Sequence, residues 1–149
     1  MKNKTVSFEE LYPLILDKIE GGYEFSFHAF GRSMLPFIRN GTDLVTLGPV
    51  VGPVEKNDVV FYRRDNGKFI LHRVVRVRKD SFDLCGDNQY CVEKGIRKDQ
   101  ILAKLVRLER DGKEIDTKSA KATLFCALLP ARRFMIHLIS FLRNRLGRQ

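Results

Sequence analysis

Tryptophan is missing from this 149-residue chain, and cysteine, histidine and methionine occur only three times each. An odd cysteine count argues against a disulfide framework and fits a reducing compartment. Cys85 and Cys91 have no second Cys or His pair at ligand spacing, so no metal site is expected. Long apolar runs are missing as well. The longest uncharged one, Ala122 to Ala131, covers ten residues, about half of what a bilayer span needs. Acids follow Phe8 where a secretory signal would be apolar, and no membrane anchor precedes the main domain, so a cytoplasmic protein is expected. Acidic residues are absent from 117–149, where Lys118, Lys121, Arg132, Arg133, Arg143, Arg145 and Arg148 concentrate seven of the nine net positive charges. The first 116 residues are nearly balanced, and the tail is the basic element.

What is present describes an ordinary globular protein. Hydrophobic residues at 44% and charged residues at 30% exclude a disordered chain, and the length suits one domain with a sizeable core. Ser7-Phe8-Glu9-Glu10 has the form of a capping box, and Phe8, Leu11, Leu14, Ile15 and Ile19 recur near helical spacing up to Gly21-Gly22. A helix over 7–20 follows. From Tyr23 to Phe30, and again over 45–47, 59–63, 69–78, 82–85 and 101–110, β-branched or alternating runs are separated by Gly, Pro, Asn and Asp. Asp65-Asn66-Gly67 has the composition of a tight hairpin turn. The expected fold is mostly β, a partly closed barrel or sandwich over 23–116, with an N-terminal helix (1–22) and a basic amphipathic tail (117–149).

In that tail the period is helical from Arg132 to Leu146. Phe134, Met135, Leu138, Ile139, Phe141, Leu142 and Leu146 share a face, with Arg133, His137, Ser140, Arg143 and Asn144 opposite. Two readings stand: a helix packed on the domain with its basic side in solvent, or one lying on an anionic membrane surface through residues 131–146. The second would make the protein peripheral at the inner membrane face. A nucleic-acid arm fits poorly, because the basic residues follow an apolar face.

The candidate chemistry centres on Gly31-Arg32-Ser33-Met34-Leu35-Pro36. Gly31 permits backbone angles closed to other residues, and Pro36 fixes its own φ. A serine held in such a turn can present its hydroxyl at the rim of a β structure, or simply cap a backbone group. Serine needs a base within hydrogen-bond reach to become a nucleophile, and a carboxylate can orient a histidine base. Ser33, His72 and Asp87 offer these roles in chain order. Lys68 is the rival base, although a lysine beside a turn is normally solvated and must be desolvated to lose its proton.

Ser33-Met34-x-Pro36, Lys56-Asn57-Asp58-Val59-Val60-Phe61, His72-Arg73-Val74-Val75 and Gly86-Asp87-Asn88 resemble, in order, the successive motifs of type I signal peptidases. These belong with the LexA-like serine peptidases, and the resemblance covers about residues 23–108. It is closest to the Ser/His branch found in the endoplasmic reticulum and in archaea. The resemblance implies a cofactor-free serine endopeptidase acting on a peptide or protein substrate, with Ser33 as nucleophile and His72 as base. It further implies Asp87 as the support of His72, the turn Gly31, Ser33, Met34 and Pro36 as the nucleophile cradle, and Asp58, Arg73, Gly86 and Asn88 as supporting residues. Departures are Gly41-Thr42-Asp43 in place of a Gly-Asp pair, and Gly31 where some relatives carry a hydroxyl. With no anchor, a small peptidase trimming a leader peptide fits better than general secretory processing. The alternatives on the same fold are a catalytically silent peptide-binding module and a self-cleaving regulator.

Overall fold

The computed structural model describes residues 8–146. The element order is α1 (Phe8–Glu20), β1 (Phe25–His28), β2 (Leu44–Gly48), β3 (Val59–Arg63), β4 (Phe69–Val77), β5 (Ser81–Cys85), β6 (Glu93–Arg97), β7 (Ile101–Arg110), β8 (Lys113–Glu114) and α2 (Ala120–Leu146). A short 3-10 turn, Lys98–Gln100, precedes β7. Ser7 of the expected capping box lies outside the described residues.

All strands pair antiparallel in one sheet of order β1-β2-β7-β3-β4-β5-β6, with β8 added to β7. The mostly-β expectation therefore holds. The sheet stays open, with β1 and β6 as its ends, so the two packed sheets of a sandwich are not formed. Its centre is covered on both faces because side chains alternate along a strand. On β3, Val59 and Phe61 enter one apolar cluster while Val60 and Tyr62 enter the other. The first cluster takes Ile15 and Ile19 from α1, whereas Leu14 of the same helix is exposed. Tyr12 seats α1 by packing on Phe69, ring centroids 4.0 Å apart, and donating its hydroxyl to Phe69 O at 3.2 Å. The β3–β4 hairpin turns at Asp65-Asn66-Gly67 as its composition dictates, with Gly67 at φ 83°. β6 joins the edge although Glu93–Arg97 shows no apolar alternation.

The C-terminal helix is longer than its period suggests and is turned the other way. It begins at Ala120, where Ser119 Oγ accepts from Ala122 N–H at 3.3 Å, and it runs through Pro130. Arg132 and Arg133 face the sheet domain, while Leu124, Leu128, Phe134, Met135, Ile139 and Phe141 stay more than half exposed. The expected packing by the apolar face thus does not form, although of the basic side only Arg133 turns inward beside Arg132, while His137, Arg143 and Asn144 stay exposed. By length and composition alone Ala120–Arg145 is apolar enough to cross a membrane, which its ten-residue uncharged run understates.

Candidate active site

Local sequence builds the Ser33 turn. Gly31, at φ 125°, donates its N–H to Asn40 Oδ1 at 2.8 Å. Gly41 N–H closes the base of the loop on Ala29 O at 2.8 Å, and Ile38 N–H reaches Met34 O at 2.9 Å. The Leu35–Pro36 peptide is cis. Met34 and Ile38 are buried in the first cluster, which leaves Ser33 half-buried above them. Asp43 anchors the turn from below. It takes Arg39 N–H at 2.9 Å and the Arg110 guanidinium at 2.7 Å. Burial pushes the Asp43 carboxyl up, but those hydrogen bonds and charges outweigh it and hold its pKa below the ordinary value.

The Gly86-Asp87-Asn88 loop closes against the same turn. Asn88 N–H donates to Ser33 O at 2.8 Å, and Asn88 Nδ2 to Arg32 O at 3.1 Å. A Cβ on Gly86 would lie 2.6 Å from Ser33 O, so glycine is demanded by contact. Asp87 is fully buried and accepts two hydrogen bonds from Arg73, at 2.8 and 2.7 Å. Arg73 also donates to Asn57 O at 2.8 Å and lies 4.3 Å from the Phe37 ring centroid. Asp58 holds its own turn, taking Glu55 N–H at 2.8 Å and Lys104 Nζ at 2.6 Å.

The expected pairing of Asp87 with His72 does not form. His72 and Arg73 are neighbours on β4 and point to opposite faces; His72 sides with Ile70 and Val74 of the second cluster. Asp87 meets Arg73 and is spent on it. The carboxylate that meets His72 is Glu93, at the start of β6: Nδ1 lies 3.4 Å from Glu93 Oε1 and 3.4 Å from the Tyr62 hydroxyl. Arg64 fixes Glu93 in turn with two hydrogen bonds, Nε to Oε2 at 2.7 Å and Nη2 to Oε1. Burial pushes Glu93 up, but the Arg64 and Tyr62 hydrogen bonds and the Arg64 and His72 charges outweigh it, leaving its pKa lowered. An ionised carboxylate only accepts, so its position beside Nδ1 favours the tautomer with the proton on Nδ1 and a lone pair on Nε2. His72 is 2% exposed. Burial lowers its pKa to about 4, with the charges of Arg64 and Arg133 acting in the same direction and Glu93 against them.

Ser33 and His72 line one cavity of about 290 Å³, together with Phe27, Met34, Phe69 and Leu71. Among the described residues no hydrogen bond joins the Ser33 hydroxyl to His72. Lys68 is exposed on the β3–β4 turn and does not line this cavity. Among the described residues no group of His, Cys, Asp and Glu is arranged to hold a metal ion. Sequence reasoning missed Glu93, Tyr62 and Arg64. The one available signal was an acid shortly after the Gly-Asp-Asn loop. Neither a scan of protein-family models nor a search of curated proteins finds a match to this chain.

Proposed function

We propose that this protein is a serine endopeptidase cleaving a leader-like or signal-like peptide, with Ser33 as nucleophile and His72 as general base. The observation that carries this reading is the cavity shared by Ser33 and by a buried imidazole whose Nδ1 lies 3.4 Å from a carboxylate fixed by Arg64. The ordered motifs that resemble type I signal peptidases support it. In the proposed reaction His72 Nε2 takes the Ser33 proton as Ser33 Oγ bonds to the scissile carbonyl carbon. The Ser33 backbone N–H, for which no acceptor is found among the described residues, would meet the developing oxyanion. The imidazolium then protonates the leaving amine as the C–N bond breaks, and water releases the acyl-enzyme by the reverse roles. Glu93 orients the imidazole and stabilises its charged form, the role that the resemblance had given to Asp87. The apolar cavity walls favour an apolar side chain next to the cut.

Labelling with a fluorophosphonate, read by intact mass, tests the proposal. Wild type should gain one adduct on Ser33, and Ser33→Ala and His72→Ala should gain none. A wild-type chain that stays unlabelled would replace the enzyme with a silent peptide-binding module. New fragments in the untreated chain at alkaline pH would point instead to self-cleavage.

The outward apolar face of α2 favours an anionic membrane surface as its partner, which would place the enzyme peripherally at the inner membrane face. Basic residues stand at both ends, Lys118 and Lys121 before the helix or in its first turn and Arg143 and Arg145 in its last. The helix lies on the bilayer rather than spanning it, because Arg132 and Arg133 are engaged by the sheet domain. A span would pull both away and place them in hydrocarbon at about 3 kcal/mol each. Flotation should find the chain on phosphatidylserine vesicles at low salt and free of them at high salt. Salt-resistant binding would mean a span, and a soluble dimer that ignores vesicles would mean that a second copy covers the face.

A further inference from the structure

We infer that Arg132 is a positioning residue for Ser33, acting from α2 through Asn88; this rests on the peptidase reading. Arg132 donates from Nε to Asp87 O at 3.2 Å and from Nη2 to Asn88 Oδ1 at 2.8 Å. The Asn88 amide is thereby committed at both ends: its oxygen takes the α2 guanidinium, and its nitrogen donates to Arg32 O at 3.1 Å. A guanidinium offers only donors, so Arg132 fixes which way the amide faces. Without it the side chain is held at one end only, by Arg32 O, and its oxygen loses its anchor to α2. The same loop gives Asn88 N–H to Ser33 O, and Gly86 sits against that oxygen with no room to yield. Movement of Asn88 therefore becomes movement of the nucleophile's own peptide.

A second contact grips the other flank. Phe125 of α2 stacks on Phe37, four residues past Ser33, with ring centroids 5.7 Å apart. Beyond these contacts the helix is lightly held; Ala122 and Leu129 are its only buried hydrophobic residues among those described. A helix that sends Arg132 and Arg133 inward while Leu128, Phe134 and Met135 stay exposed is spending this part of its polar face on the loop. Arg132 is the member of that face that reaches the turn through one intervening side chain.

The test uses the full chain and two readouts. Fluorophosphonate labelling of Ser33 should slow about tenfold or more in Arg132→Ala, since small displacements of a reacting atom cost rate steeply. Its pH midpoint should stay put, because His72 and Glu93 are untouched, and methylguanidinium should restore part of the loss. Arg132→Lys keeps the charge without the two-point grip and should show a similar loss; it serves if Arg132→Ala does not fold. Hydrogen exchange over residues 31–38 reads the grip without any reaction and should quicken in both variants. Wild-type labelling and exchange retained in the variants would overturn the inference while leaving the peptidase intact. An unlabelled wild type with quickened exchange in the variants would reject the peptidase and keep the grip. A shifted pH midpoint would overturn the inference by moving the effect to His72.

Discussion

Two acidic residues six positions apart divide the work that one was expected to do. Asp87 neutralises Arg73 in full burial, and Glu93 faces His72 with its side chain 23% exposed. Replacing each by its amide separates the roles. Asp87→Asn strands a buried guanidinium and should cost about 3–5 kcal/mol of stability by urea unfolding. Glu93→Gln should leave the fold far less affected yet slow labelling of Ser33 about a hundredfold or more, because an amide no longer favours the imidazolium. Equal stability losses with unchanged labelling would return the orienting role to neither. Gly86→Ala tests the loop beneath: its methyl has to displace Ser33 O, so labelling should fall while the His72 pH midpoint stays where it was. Part of this was legible. Adjacency of His72 and Arg73 already implies that they face apart. Which of them meets Asp87 depends on a loop that returns across the sheet, and no local pattern encodes that.

At the scale of elements, the central strands announced themselves, since Val59 to Arg63 is a β-branched and aromatic run and Ile101 to Arg110 is a long apolar-rich stretch between turn residues. β6 did not. Glu93–Arg97 is an edge strand held by main-chain pairing with β5, by the Arg64–Glu93 ion pair and by Ile96 alone against the second cluster, too little to leave an apolar pattern. The inverted α2 was illegible for a related reason: an arginine faces inward only when distant partners receive it, here the Gly86–Asn88 loop. Arg133 belongs to that inward face and adds positive charge near His72, opposing its protonation. Arg133→Gln should therefore raise the His72 pKa from about 4 and move the acid limb of Ser33 labelling to higher pH. Arg132→Ala should leave that limb in place. The contrast between neighbouring arginines is read in one pH series, and a limb that does not move in Arg133→Gln would remove α2 from the electrostatics of the site.

For the molecule as a whole, the same buried imidazole ties stability to pH. In the unfolded chain His72 binds a proton with a pKa near 6.5, whereas in the fold burial lowers it to about 4. Between those values the unfolded state holds more protons, so stability is full above about pH 6.5 and is lost as pH falls toward 4. The difference corresponds to about 3 kcal/mol once both states are protonated. Asp43, Asp83 and Glu93, whose pKa values are lowered, act with the same sign but only as pH drops through the carboxylate range. The window from pH 6.5 to about 5.5 thus isolates the histidine. Urea midpoints should decline across it in wild type and stay nearly level there in His72→Asn, which removes the titrating group. Protonation of His72 would also end its proposed service as a base, so on that proposal acid would weaken the fold and silence the site through one side chain. A wild-type midpoint constant from pH 7 to 4.5 would mean that the imidazole is not held neutral by burial, and the proposed resting state of the base would fall with it.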